Sequence, residues 1–285
     1  MRTEPGHVTL YRQAMATDFS ITIAYPDHQY ARQAAAEAFR ELERLEGRLS
    51  AFREDSDLAR IARLQSGQTC VVDPATHACL QVALDVEAAT GGAFDIAYRS
   101  QPHRAASKRI RLAARQPQVT VLVGDTDLDL GGIGKGYALD HLASILADWD
   151  LHCVLLRASK STVLARHAPP ERAGWEVRFG TATDVWTLSL REMAISGSGS
   201  DRQGPHIIDP HRGRPARAHR LAYATAASAA AADALSTAFV VMPDDAIRQY
   251  CQRYPDSAAY VVPAGSGLLR VLHEPPTMEA VALSP

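Results

Sequence analysis

Short predicted strands interleave irregularly with helical segments along this chain, and this order constrains the fold most. Alternating apolar positions predict a strand over 19–25, and apolar residues three or four apart predict a helix over 29–49. Further helices are predicted over 74–90, 137–149 and 228–242. Since the segments do not follow a regular strand–helix–strand order, we expect an α+β fold with mixed sheets and packed helices rather than a doubly wound parallel sheet.

The remaining segments are short. A small helix is predicted after residue 56, with Asp55 or Ser56 as its cap, because both side chains can accept a hydrogen bond from a free backbone N–H. Alternation and β-branched content predict strands over 108–112, 119–124, 153–157, 161–165, 175–179 and 185–190, and a final hairpin over 258–273.

Length and charge limit the possible partners. The 285 residues carry no repeat or disordered linker, so we expect a single domain over 1–285 with two lobes. A net charge of -2 provides no overall field for nucleic acid or an anionic membrane. Because no apolar stretch approaches the ~20 residues of a membrane span and no signal peptide is recognisable, we predict a cytoplasmic protein with no nucleic-acid partner and no membrane anchor.

The segment LDLGGIGKGYALD, residues 128–140, places a glycine-rich turn between a predicted strand and a helix. Glycines allow a close approach of an anion, and a helix N-terminus offers free N–H groups. The turn is not a dinucleotide fingerprint, which would need glycine at Tyr137. It is not a Walker A loop either, which would need glycine at Asp129 and Ser or Thr at Gly136. From this segment alone, a tight strand-to-helix turn with a surface lysine is as good an interpretation as an anion-binding turn.

Three other stretches contain groups that could act with this turn. Asp95 follows a glycine pair, and His206 precedes an aspartate in a turn. Asp233 and Thr237 are four residues apart and share one helix face, where they offer two oxygen ligands to a hard cation such as Mg²⁺. Taken alone, such a pair is more often a helix cap or part of a solvated face.

Other metal or redox sites have little support. His206, His211 and His219 lack a recognised zinc-ligand spacing, and the four cysteines form no C-x-x-C pair. We expect the cysteines to be reduced and buried.

The order of these motifs resembles the FAD:protein FMN transferase family, the ApbE-like flavin transferases, over nearly the whole chain. The most specific matches are DLGGIGKG at 129–136, HIIDP at 206–210 and ADALST at 232–237. Additional matching segments are MATDFSITI at 15–23, LSAFREDSDLARI at 49–61 and GGAFD at 91–95.

The resemblance implies that FAD binds in a nucleotide cleft between two lobes, with Mg²⁺ at its pyrophosphate. It implies a metal site at the Gly134 carbonyl, Asp233 and Thr237, and catalytic roles for His206 and Lys135. It places the remaining FAD contacts, some of which are shared with the catalytic set, at Met15, Phe52, Ala93, Phe94, Asp95, Gly131, Lys135, His206 and Ile207. Without the resemblance, Phe52 would be taken for a core aromatic residue, and His206 for a histidine held in its turn by Asp209.

The implied reaction is protein flavinylation: a Thr or Ser hydroxyl of an acceptor flavoprotein receives FMN from FAD, and AMP leaves. If water attacks instead, the site is an FAD pyrophosphatase. The chain has Ser159–Ser161 where the family usually carries a glycine pair. This difference keeps a second class open, a non-catalytic flavin-binding or flavin-delivery protein, and a third, a structural paralogue with neither flavin nor metal.

Overall fold

The computed structural model describes residues 6–100, 105–199, 207–276, 278 and 280–282. Its helices are α1 (His28–Leu49), α2 (Asp57–Ala62), α3 (Pro74–Ala89), α4 (Gly134–Asp148), α5 (Ala229–Val241) and α6 (Asp244–Arg253). Its strands are β1 (His7–Ala14), β2 (Thr17–Ala24), β3 (Thr69–Val71), β4 (Ile110–Leu112), β5 (Gln118–Val121), β6 (Val154–Ala158), β7 (Thr162–Ala165), β8 (Trp175–Gly180), β9 (Val185–Leu190), β10 (Met193–Gly199), β11 (Ile208–Asp209), β12 (Arg214–Pro215), β13 (His219–Ala226), β14 (Ala259–Pro263), β15 (Arg270–His273) and β16 (Ala280–Ala282).

An eight-stranded antiparallel sheet, ordered β1-β2-β6-β7-β10-β13-β14-β15, is the largest unit of the fold. Three small sheets, β3-β5-β4, β16-β9-β8 and β11-β12, accompany it. The predicted α+β class is confirmed. No helix within the described ranges is both long and apolar enough to cross a membrane.

Two clusters of buried apolar side chains stabilise the fold. The larger cluster lies between the helices and the main sheet and includes Phe39 and Phe239. The smaller cluster joins β8 and β9 to the other face of the main sheet through Phe179 and Tyr260, whose ring centroids are 4.9 Å apart. Burial of such large rings contributes most of the packing energy of a core.

Helices α4 and α5 pack closely because of two residues of α4. A Cβ added to Gly136 would lie 2.0 Å from the Ala229 carbonyl oxygen, so only glycine permits this separation. Asp140 accepts hydrogen bonds from the N–H groups of Ala229 and Ala230 at 2.9 and 2.8 Å. This carboxylate satisfies free donors at the N-terminus of α5 and fixes its start against α4.

The sequence did not predict several elements. β1 is an edge strand with mostly exposed side chains, and β10 has the sequence MAISGSG, which lacks the bulky residues that favour strands. β13 and α6 were also absent from the prediction. At α2 the cap is Ser56, which accepts from the Ala59 N–H, whereas the alternative cap Asp55 pairs with Arg53.

The expectation for the cysteines is half right. All four are free, and Cys79 and Cys251 are buried. Cys70 and Cys153 are only partly buried: Cys70 lies in the short strand β3, and Cys153 in the bend just before β6.

Candidate functional site

The glycine turn is held in shape by the carboxylate of Asp129. Oδ1 accepts the N–H of Gly131 at 2.8 Å, and Oδ2 accepts the hydroxyl of Tyr98 at 2.9 Å. The Gly134 N–H then donates to the Leu130 carbonyl at 2.7 Å, which begins α4. The side-chain contact with a backbone N–H two residues later is typical of an Asx-turn. The turn therefore presents the N-terminus of α4 in a defined direction.

Asp233 lies at this turn, 1% exposed, and its carboxylate contacts four donors. Oδ1 accepts the hydroxyls of Ser196 at 2.9 Å and Thr162 at 3.2 Å. Oδ2 accepts the Gly136 N–H at 3.1 Å and is 3.3 Å from Nζ of Lys135. Since a buried carboxylate is costly without partners, these contacts hold the charge at a fixed place.

Thr237 lies one helical turn further along α5, on the same side. Its hydroxyl is 3.0 Å from the hydroxyl of Ser198. A Cβ added to Gly132 would lie 3.2 Å both from Oγ1 of Thr237 and from the ring of Phe94. The structure thus brings Asp233, Thr237 and the 131–136 bend together.

Lys135 places a positive charge between two oxygen atoms. Its Nζ is 3.2 Å from the Gly131 carbonyl oxygen and 3.3 Å from Oδ2 of Asp233, and its side chain is 25% exposed. A carbonyl and a carboxylate oxygen are the ligand types that hard divalent cations prefer. The ammonium therefore marks a position where this site holds a cation.

The 93–95 segment forms one side of the turn. Ala93, Phe94 and Asp95 are all buried, and the Phe94 ring faces Gly132. Oδ1 of Asp95 accepts the N–H of Ala97 at 2.8 Å, so this carboxylate helps to fix its own loop.

Met15 and Phe52 lie in two other segments of the chain. Met15 is in the β1–β2 turn with φ 50°, and its N–H donates to Oε1 of Glu46 at 2.7 Å. Phe52 is 93% exposed, so the interpretation as a core aromatic residue is wrong. It follows α1 in a polar loop that no apolar element covers. Among the described residues, no hydrogen bond or ring contact joins either side chain to the glycine turn.

Two open cavities adjoin the Met15 turn. One, of about 570 Å³, is lined by Gln13, Ala14, Ala16, Thr17, Asp18 and Glu46. The other, of about 470 Å³, is lined by Thr17, Asp18, Ser159 and Lys160.

The 159–161 segment connects β6 to β7 at this second cavity. Ser159 has φ 58°, a left-handed conformation that glycine adopts more easily, and its N–H donates to the Asp18 carbonyl at 2.7 Å. The chain thus keeps a glycine-like backbone where the family usually has glycine, and adds a side chain there.

His206 lies outside the described residues. Ile207, which follows it, packs against the larger core, and its carbonyl accepts the Ala216 N–H at 2.9 Å. The imidazole of His211 lies 3.3 Å from the position of a Cβ on Gly92, near the 93–95 segment. His219 is buried elsewhere: its ring nitrogens are 2.7 Å from the Phe239 carbonyl oxygen and 2.8 Å from Oδ1 of Asp244.

Two acidic groups near the turn have shifted pKa values. Burial, followed by the charge of Asp129, raises the pKa of Tyr98 to about 12. Burial also raises the pKa of Asp140, against the lowering effect of the two N–H donors at the start of α5. Tyr98 donates to Asp129 of the turn, and Asp140 accepts hydrogen bonds from the start of α5, so both groups help to fix the local structure.

The sequence did not indicate Thr162, Ser196, Ser198 or Asp129 as site residues. Thr162 and Ser196 lie directly opposite each other in the β7–β10 pair, with their hydroxyls 2.9 Å apart. Asp129 begins the DLGGIGKG segment, but no sequence motif assigned it a role. A signal was present in the alternating serines and glycines of β10, since residues of this size are unusual in a strand.

The comparison with known families decides the classification. The ApbE family model matches residues 15–261, which include the glycine turn, Asp233 and Thr237. The chain belongs to the ApbE family. The expected resemblance is thereby confirmed.

Curated relatives of this ApbE-family chain share low identity over most of its length. The FAD:protein FMN transferase of Klebsiella pneumoniae (strain 342) is 24% identical, over 90% of this chain and 84% of the relative. That of Treponema pallidum (strain Nichols) is 28% identical, over 73% of this chain and 71% of the relative. These relatives support homology to a transferase family.

Solved structures show the same fold. The flavinyl transferase ApbE of Pseudomonas stutzeri, in its apo form, superposes with a TM-score of 0.81 at 20% identity, covering 93% of this chain and 94% of that one. The flavin transferase ApbE of Vibrio cholerae superposes with a TM-score of 0.80 at 19% identity, covering 98% and 97%. At this identity the comparison establishes the fold alone.

Proposed function

We propose that this protein is a Mg²⁺-dependent FAD:protein FMN transferase that attaches FMN to a Thr or Ser hydroxyl of an acceptor flavoprotein and releases AMP. One observation carries the proposal: Asp233 contacts Gly136 and Lys135 of the glycine turn, with Thr237 on the same side. Family membership and the names of the relatives support the same reaction. The cytoplasmic location of the protein stays a prediction.

The pyrophosphate of FAD is proposed to bind at the 131–136 bend. The positive end of the α4 helix dipole and the Lys135 ammonium both lie at this bend, so the bend favours an anion. Gly131, Phe94 and the neighbouring residues Ala93 and Asp95 would contact the nucleotide on one side. Met15, Phe52 and Ile207 are proposed as further flavin or nucleotide contacts.

The donor set at the bend fits Mg²⁺. Among the described residues, the two hydrogen-bond contacts of the Lys135 ammonium are oxygen atoms, the ligand type that Mg²⁺ requires. The Asp233 carboxylate, the Thr237 hydroxyl and the Gly134 carbonyl would hold it. When bound, Mg²⁺ supplies charge neutralisation at the phosphoryl oxygens.

The transfer balances as a substitution at phosphorus. The oxygen of the acceptor hydroxyl forms a bond to the FMN-side phosphorus, and the bond from that phosphorus to the oxygen bridging to AMP breaks. The hydroxyl proton passes to a base, for which His206 is proposed because imidazole titrates near neutral pH. Lys135 would stabilise the negative charge that develops on the phosphoryl oxygens.

Intact-mass measurement of an acceptor domain, with AMP quantified in the same sample, tests the proposal. Incubation with FAD and Mg²⁺ should add one FMN per acceptor with an equal amount of AMP. The acceptor must first be shown competent with another transferase. AMP without the adduct would instead show an FAD pyrophosphatase, and bound yellow flavin without AMP would show a delivery protein.

A further inference from the structure

The Lys135 ammonium has two oxygen contacts that a bound cation would share or replace. Its Nζ is 3.2 Å from the Gly131 carbonyl oxygen and 3.3 Å from Oδ2 of Asp233. The other three donors to Asp233 are a backbone N–H and two hydroxyls, which are all neutral. Lys135 is thus the single charged donor on this carboxylate among the described residues.

Lys135 is also the donor that can leave most easily. Thr162 and Ser196 are fully buried in adjacent strands, and the Gly136 N–H is fixed in the backbone of α4. The Lys135 side chain is 25% exposed, and its distance to Asp233 is the longest of the four. A lysine head on a flexible stem can move into solvent, which a strand hydroxyl or a backbone amide cannot do.

We propose that Lys135 is an internal counter-ion that occupies the cation position of Asp233 until a divalent metal ion displaces it, and that the released ammonium then moves to the FAD phosphates. This inference rests on the proposed function for the identity of the cation and the phosphates. Lys135 has two successive roles: it keeps the buried carboxylate compensated before the metal binds, and it binds the substrate anion afterwards.

The physical reason is that two cations repel each other within a few ångströms in a partly buried site. Oδ2 of Asp233 faces the turn, whereas Oδ1 is already occupied by the two strand hydroxyls. A metal ion that approaches Oδ2 therefore competes with the ammonium for the same oxygen. The FAD pyrophosphate would remove this competition by attracting the lysine, so metal and substrate should bind cooperatively.

Calorimetric titration of Mg²⁺ alone into the FAD-free protein tests the exchange. The Lys135→Met variant should bind Mg²⁺ about tenfold more tightly than the wild type, because the competing charge is gone. Lys135→Arg, which retains the charge, should keep the weak wild-type affinity. Lys160→Met removes an equal charge from an exposed position at the 159–161 segment and should leave the affinity unchanged.

A second measurement uses the wild-type protein, which has only three lysines, Lys108, Lys135 and Lys160. Amine labelling followed by peptide mass spectrometry should show Lys135 labelled faster when Mg²⁺ is added without FAD, relative to Lys160. Unchanged or weaker Mg²⁺ binding by Lys135→Met, or Lys135 labelling unaffected by Mg²⁺, would overturn the exchange. FMN transfer by the wild type would still stand in that case, so the two proposals fail separately.

Discussion

The backbone N–H of Gly136 donates to Oδ2 of Asp233 across 3.1 Å, although the two residues are 97 positions apart in the sequence. This hydrogen bond joins the first turn of α4 to the first half of α5. The buried carboxylate, the glycine turn and Lys135 form one unit as a result.

Gly136→Ala should separate α4 from α5. The added Cβ would lie 2.0 Å from a backbone carbonyl oxygen that cannot move without shifting α5. We expect a loss of about 3 kcal/mol in the free energy of unfolding, measured by urea denaturation. The matched control is Gly47→Ala within α1, where a Cβ meets no atom within 4 Å and should stabilise by about 0.5–1 kcal/mol. Equal stabilities of the two variants would refute the close-packing argument.

Removing a hydroxyl that donates to Asp233 should lower both the stability of the protein and the rate of FMN transfer. Ser196→Ala leaves the buried carboxylate with one donor fewer, at an expected cost of about 1.5–3 kcal/mol. Thr162→Val should behave similarly, whereas Thr162→Ser retains the hydroxyl and should recover most of the transfer rate. Urea denaturation and FMN transfer are measured on the same samples. If the Thr162→Val and Thr162→Ser variants transfer FMN at the same rate, the hydroxyl has no part in holding Asp233.

Sequence reasoning could place Asp233 with Thr237 but not with Thr162 or Ser196. The first pair shares a helix face because four residues span about one turn, which any helix guarantees. Thr162 and Ser196 come together at Asp233 only because β7 and β10 are neighbouring strands with Ser196 opposite Thr162. Strand order and register depend on contacts distant in the sequence, and a single sequence does not encode them in any local period.

The same distinction explains the rest of the fold. Helix α1 was predictable because Asp27 caps it and its apolar residues face one side. β10 was not, because Gly197 and Gly199 fit against Tyr223 and Leu221 of the neighbouring strand and lack any strand propensity of their own. The exposure of Phe52 could not be predicted from the sequence either, because an aromatic side chain is usually buried.

Alkaline pH should reduce the contribution of Tyr98 to stability. Its pKa in the folded protein is raised to about 12, above the value of about 10 for an unfolded chain. A raised pKa means that the contribution is complete below about pH 10 and is lost as the pH rises toward 12. The difference in unfolding free energy between wild type and Tyr98→Phe should therefore shrink between these values. A difference that stays constant would show that the pKa of Tyr98 is not raised in the folded protein.

The four thiols should divide into two classes. Burial raises the pKa of Cys79 and raises that of Cys251 to about 12, and both side chains are inaccessible. Cys70 and Cys153 are partly exposed, although burial raises their pKa values as well. Iodoacetamide at pH 8 should modify Cys70 and Cys153 first, and Cys79 and Cys251 only after unfolding. Peptide mapping that finds Cys79 labelled in the native protein would contradict the burial of this α3 residue in the larger apolar cluster.

The most direct measurement is the rate of FMN transfer to an acceptor domain by Asp233→Asn, with Asp245→Asn as the control. Asp245 is an exposed carboxylate in the first turn of α6, so its replacement tests the loss of a charge outside the site. We predict a decrease of at least about 100-fold in the rate for Asp233→Asn, because the asparagine cannot hold the cation. The Asp245 variant should keep the wild-type rate. Full transfer by a folded Asp233→Asn protein would contradict the account.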